Sequence, residues 1–215
     1  NEGPLVDILP AEGKSDTNQL YTSVQAAVDN AGAGDTVEIG PGVYDEQVTV
    51  NKDLSIEAEK GAVLKRSTAR SENTLVSNSY LVINNSANVD LTGLTFEGPF
   101  AQSNTAGIVV LNDAHLDADG IEMKKMYTLS GGNISGAQYH HGIVAGDLRY
   151  GQTLVGSQTD NASLDLTDST IDGFGKAAVS ASGNETTVTI RDSTVNGSGT
   201  LKHDYAPAQD AVLVD

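Results

Sequence analysis

Residues 165–173 read DLTDSTIDG and residues 189–197 read TIRDSTVNG. The two align without a gap, 24 positions apart (189 − 165). Upstream, residues 90–98 read DLTGLTFEG and residues 117–125 read DADGIEMKK, 27 positions apart (117 − 90). A self-similar period in the twenties marks a solenoid, in which each repeat buries its apolar face against its neighbours. Within each copy apolar and polar residues alternate, which is strand periodicity. Leu91, Ala118, Leu166 and Ile190 are therefore expected to form one inward column, and Phe96, Met123, Ile171 and Val195 another. Parallel strands stack at about 4.8 Å, so each member of a column packs on the next. Parallel crossovers wind right-handed. The expected fold is all-β, a right-handed parallel β-helix. The gap of 48 between positions 117 and 165 leaves room for one further coil near HGIVAG, residues 141–146. AGIVV (106–110), HGIVA (141–145), KAAVSA (176–181) and DAVLVD (210–215) read as further strands of the coils.

Towards the N-terminus, residues 20–34 read LYTSVQAAVDNAGAG. Thr22 with Gln25 fits a capping box. Val24, Ala27 and Val28 share one helical face, and Gly32 and Gly34 stop the helix. A helix over 22–31 is expected to cover the first coil, because an open stack exposes unpaired strand edges. DTVEIG (35–40), EQVTV (46–50) and LSIEA (54–58) follow as strands, with PGVY (41–44) as a turn between the first two.

The stretch VQAAVDNAGAGDTVEIGPGVYDEQVTVNKDLSIEAEKG, residues 24–61, resembles the opening of the right-handed parallel β-helix, or pectin-lyase-like, superfamily. GVYDEQVTV is its most specific part. The resemblance is to pectin methylesterases, to periplasmic copper-site accessory proteins and to surface proteins with carbohydrate-binding and sugar-hydrolase repeats. It implies one domain over 1–215, a segment of a longer exported protein, at the cell surface or outside the cell, with the periplasm as the alternative. The enzymatic motifs of these families do not accompany it. The chain has no Trp, so the Arg-Pro-Trp element of the methylesterases is absent. The Arg-x-Pro-x-x-Arg of pectate lyases and the Tyr-Gly-Phe-Asp-Pro-His of alginate epimerases are absent too.

Charge narrows the partners. The chain carries 29 acidic and 12 basic residues, a formal net charge of −17. Such a surface repels phosphate backbones, which excludes nucleic acid, and disfavours anionic membranes. No apolar run reaches the length of a membrane span, so no membrane insertion is expected. Cysteine is absent, which excludes disulfides, thiol chemistry and zinc–thiolate sites.

The repeats also place outward residues. One copy presents Asp117, Asp119, Glu122 and Lys124 outward; Asp119 aligns with Thr92 and Thr167, and Glu122 with Thr95, Thr170 and Thr194. Asp90, Asp117 and Asp119 form an oxygen-only set, and Ca²⁺ is the cofactor such a set implies. The less regular stretch 117–150 supplies the second set. Lys124, His141 and Arg149 are the candidate catalytic residues of a lyase, which needs a cation beside a uronate and a base for the adjacent proton. Glu122, Lys125, Tyr127, Tyr139, His140 and Tyr150 are the candidate substrate-binding residues. Adjacent His140 and His141 cannot both face outward on a strand. The functional expectation is an adhesin-like, non-catalytic module that binds a polysaccharide or another cell-surface protein. The alternative is a lyase, hydrolase or epimerase acting on acidic glycans through the 117–150 region.

Overall fold

A computed structural model describes residues 4–14, 19–69, 71, 74–134, 140–146, 161–198 and 210–214. The chain is mostly β. It starts with strand β1 (Val6–Leu9), helix α1 (Val24–Asn30), β2 (Thr36–Ile39), β3 (Gly42–Asp45) and β4 (Val48–Val50). β5 (Leu54–Ala58), β6 (Ala62–Lys65), helix α2 (Leu75–Asn78) and β7 (Leu81–Ile83) follow. Then come β8 (Asn88–Thr92), β9 (Thr95–Glu97), β10 (Thr105–Val110), β11 (Ala114–Asp119) and β12 (Glu122–Met126). A small hairpin, β13 (Leu129–Ser130) and β14 (Asn133–Ile134), precedes β15 (His140–Gly146). The rest is β16 (Ala162–Thr167), β17 (Thr170–Phe174), β18 (Ala177–Ser182), β19 (Thr187–Arg191), β20 (Thr194–Asn196) and β21 (Asp210–Val214).

These strands sort into three large sheets. The first has the order β1-β2-β5-β8-β11-β16-β19, the second β3-β6-β9-β12-β17-β20 and the third β4-β7-β10-β15-β18-β21. Every neighbour pair in them is parallel except β1 with β2. Among the described residues no sheet closes on itself. Register turns the alternation of the sequence into columns. Leu91, Ala118, Leu166 and Ile190 are lateral partners in the first sheet. Phe96, Met123, Ile171 and Val195 are lateral partners in the second. Both columns match the expected ones, and their members up to Leu166 and Ile171 are fully buried.

The third sheet is apolar on both faces. Ile108 and Ile143 join the main core, while Val82, Val109 and Val144 form a second cluster that Leu75 of α2 covers. A strand buried on both sides reads as a continuous apolar run rather than an alternation. This explains why AGIVV and HGIVA show no period of two.

Tight corners join the first sheet to the second. The residue that turns each of four corners has positive φ: Gly93 (71°), Gly120 (61°), Asp168 (47°) and Asp192 (49°). Gly and Asp are residues that enter this left-handed region readily. Behind the turn, Ser169 Oγ accepts from the Ile121 N–H at 3.1 Å, and Ser193 Oγ accepts from the Ser169 N–H at 3.1 Å. Side chains thereby take over backbone donors that the ladder leaves unpaired.

Three sequence expectations need correction. β11 pairs directly with β16, with Asp117 opposite Asp165, so no further coil lies between them. Residues 140–146 are the third-sheet strand of the same repeat, and the long spacing comes from connections. Gly42–Asp45 is a strand paired with β6 rather than a turn; its Pro-Gly start only bends the chain into it. The helix N-cap is Ser23, not Thr22: Ser23 Oγ accepts from the Ala26 N–H at 3.2 Å. Gln25 instead reaches sideways, its amide oxygen accepting from the Thr49 N–H at 2.6 Å.

α1 buries Val24, Ala27 and Val28. Glu46 clamps its first turn, accepting from the Val24 and Gln25 N–H groups at 2.8 and 3.1 Å and from the Ser23 hydroxyl at 2.7 Å. A carboxylate there satisfies donors that the helix itself leaves open. After the helix, buried Asp35 accepts from the Gly32 and Ala11 N–H groups and from Lys14 Nζ, at 2.6, 2.9 and 2.6 Å. Burial alone would raise its pKa; these hydrogen bonds outweigh it and hold the carboxyl below its usual value.

Candidate functional site

The acidic residues fall on the outer face of the first sheet. Asp90, Asp117 and Asp165 are consecutive lateral partners, and Asp119 stands between Thr92 and Thr167. Asp90, Asp117 and Asp119 are all exposed. On the same face His115 Nδ1 lies 2.7 Å from Ser163 Oγ, and Arg191 approaches Asp165 at 3.7 Å. Among the described residues no three His, Asp or Glu side chains gather closely enough to hold a metal ion. Like charges one strand apart are tolerated here because water screens them.

Lys124, Glu122 and Lys125 lie on β12 in the second sheet. Lys124 Nζ sits 2.7 Å from Glu122 Oε2, and Lys125 Nζ 3.0 Å from Glu97 Oε1. The hydrogen bond and charge of Glu97 raise the Lys125 pKa, so this ammonium stays protonated rather than serving as a base. Tyr127 is buried, and burial pushes its phenol up as well.

Both histidines lie on β15 in the third sheet, and both are fully buried. His141 Nδ1 is 2.7 Å from Ser180 Oγ. His140 Nε2 is 3.2 Å from Thr128 Oγ1, its Nδ1 has no hydrogen-bond partner, and its ring lies 5.9 Å from that of Phe100. Burial drives the His140 pKa down to about 4, so the ring is neutral at physiological pH. Lys124 and His141 thus sit on different sheets, one half-exposed and one enclosed. Arg149, Tyr139 and Tyr150 lie outside the described residues.

The feature that residue-by-residue reading missed is a corner. Among the described residues, the chain that leaves β6, β9 and β12 for the third sheet departs furthest from the two-residue links Glu46–Gln47 and Gly175–Lys176; its described parts are 66–69, 71, 74–80, 98–104 and 127–134. β6, β9 and β12 are neighbouring strands, so these segments leave the second sheet side by side. Loops carried on a rigid scaffold are where binding residues concentrate. Asn78 ties the first two loops together, its amide donating to the Ser103 and Asn104 carbonyls at 3.1 and 3.0 Å. Gln47 anchors α2 by donating to the Val76 and Ser79 carbonyls at 2.6 and 2.8 Å. Below them Tyr80 and Phe100 meet edge to face, with ring centroids 5.5 Å apart. In a chain with 5% aromatic residues, a string of Tyr80, Phe100 and His140 at one corner is a local concentration. A signal for it was present: the spacing of the repeats is 24 between positions 165 and 189 but lengthens upstream, to 27 between positions 90 and 117 and to 48 between positions 117 and 165.

Comparison with family models, with curated proteins and with solved structures finds no match. No helix among the described residues is long and apolar enough to cross a membrane.

Proposed function

We propose that this chain is a right-handed parallel β-helix of the pectin-lyase-like kind, serving as a non-catalytic binding module of an extracellular or cell-surface protein. Its ligand is a polysaccharide or another surface protein, engaged at the corner where the chain leaves β6, β9 and β12, over residues 74–80, 98–104 and 127–134. Three parallel sheets visited in rotation, with apolar columns in register, support the solenoid reading.

The observation that carries the functional reading is how the expected catalytic groups are used. Lys124 and Lys125 are engaged by carboxylates, and both histidines are enclosed. A uronate-processing site needs a free cation beside an accessible base. The outer face of the first sheet is acidic, with Asp90, Asp117 and Asp119 exposed, and it repels acidic glycans. With a chain at −17 overall, an uncharged glycan approaches the corner at less electrostatic cost than a uronate.

A panel of neutral and acidic polysaccharides tests the reading. Each is assayed for retention on the immobilised protein, for new reducing ends and for the ultraviolet absorbance of an unsaturated product. Retention of a neutral glycan without turnover is the expected result. New reducing ends or a rise in absorbance would replace the module by a hydrolase or a lyase.

A further inference from the structure

A small pocket lies between the loops 66–80 and 98–104, lined by Arg66, Asn78, Tyr80, Gln102 and Thr105. Its free volume is about 10 Å³, room for a single water. Tyr80 is 1% exposed; the Arg66 backbone N–H approaches its hydroxyl oxygen, and no acceptor meets its own O–H. A buried O–H without an acceptor forfeits its hydration without full compensation. Native interiors rarely leave such a group empty-handed when a polar cavity adjoins it.

Thr105 completes the geometry. It is buried and lines the pocket, and its hydroxyl donates to the Gln102 carbonyl at 2.9 Å, so its oxygen retains lone pairs for a donor. The cavity therefore offers a donor, Tyr80, and an acceptor, Thr105. We propose that it is a binding site for one water molecule, which accepts from the Tyr80 hydroxyl and donates to Thr105 Oγ1. This water joins the end of the 66–80 loop to the end of the 98–104 loop, beside the direct clasp made by Asn78.

A halide is the competing occupant, because the Arg66 guanidinium lines the same space. Arg66 already donates to the Ser77 and Ser79 carbonyls, and a halide cannot donate to Thr105. The proposal does not depend on what the corner binds.

The test is a crystal structure of the protein grown with sodium bromide, together with melting of Tyr80→Phe, which removes only the hydroxyl. An oxygen within hydrogen-bond reach of Tyr80 Oη, without anomalous signal, is the expected finding. The variant is expected to melt roughly 2–4 °C lower, the effect of losing one average hydrogen bond in a chain of this length. An empty pocket, a bromide peak, or a variant that melts at or above the wild-type temperature would each overturn the proposal. The density is decisive even if the variant folds poorly.

Discussion

The two kinds of corner in this molecule obey opposite rules. From the first sheet to the second, the chain turns within a few residues each time, and four of these turns sit on a Gly or Asp in the left-handed region. From the second sheet to the third, the connection ranges from the pair Glu46–Gln47 to the longer stretches that include 74–80 and 127–134. The first corner is set by backbone geometry and repeats along the stack. The second varies in length along the stack, and its longer links are held by side-chain clasps such as Asn78 and Gln47. Periodicity therefore locates the scaffold, and departures from it locate the candidate site.

The sharpest way to break this contrast is Gly93→Val. A Cβ at Gly93 would sit 2.6 Å from the Ala58 carbonyl oxygen, and a φ of 71° is strained for a β-branched residue. Strain and overpacking together cost about 4 kcal/mol. Chemical denaturation should show a loss of that order. A loss below about 1 kcal/mol would mean that the tight corner adapts as freely as the loops do.

The next effect belongs to the loop corner and depends on pH. His140 has a folded pKa of about 4 against an ordinary 6.5. A histidine whose pKa is depressed by folding contributes its full stability above pH 6.5. As the pH falls from 6.5 towards 4, the unfolded chain takes up a proton that the folded chain refuses, and stability drops by about 3 kcal/mol. Asp35, at the N-terminal end, has a lowered pKa, so its contribution is present above the ordinary 3.8 and is lost only as the pH falls through its still lower folded value. Acid unfolding should therefore begin with the histidine window and continue with the carboxylate window. His140→Gln should flatten the curve between pH 6.5 and 4 and leave the lower limb in place. If the wild type shows no slope there, His140 is not enclosed in solution.

These examples also show where the sequence was informative. The columns through Leu91 and Phe96 were legible because each copy alternates and the copies align without gaps. The doubled spacing before Asp165 misled, because a long connection and an extra coil look alike when only distances along the chain are counted. PGVY read as a turn because Pro and Gly dominate turn signals, yet register with β6 makes Gly42–Asp45 a strand. The candidate site was least legible. A Lys is a free cation or half of an ion pair according to a neighbour on another strand, here Glu97 for Lys125. Burial of His140 and His141 likewise follows from tertiary packing, not from the residues beside them.

Asn78→Ala is the third expected effect. It removes two hydrogen bonds between loops and leaves the Ser103 and Asn104 carbonyls to find water, costing about 1–2 kcal/mol. Retention of the glycan found for the wild type should weaken with it, because the two loops lose their common position. Unchanged retention in a destabilised Asn78→Ala protein would move the binding surface away from this corner.

The smallest effect is the most specific to the tight corner. Gly120 occupies the same place in its repeat as Asp168 and Asp192, with φ of 61° against 47° and 49°. Unlike Gly93, it has open space where a Cβ would be added. Asp enters the left-handed region at low cost, and replacing Gly removes freedom from the unfolded chain. Against this stands one more negative charge beside Asp119 in a chain already at −17, an exposed repulsion that salt screens. The two contributions are comparable, so Gly120→Asp should change stability by no more than about 0.5 kcal/mol. The residual penalty should shrink as sodium chloride is raised. A large loss that salt leaves untouched would show that Gly120 is held by something other than backbone conformation, and that the repeats are equivalent in sequence without being equivalent in structure.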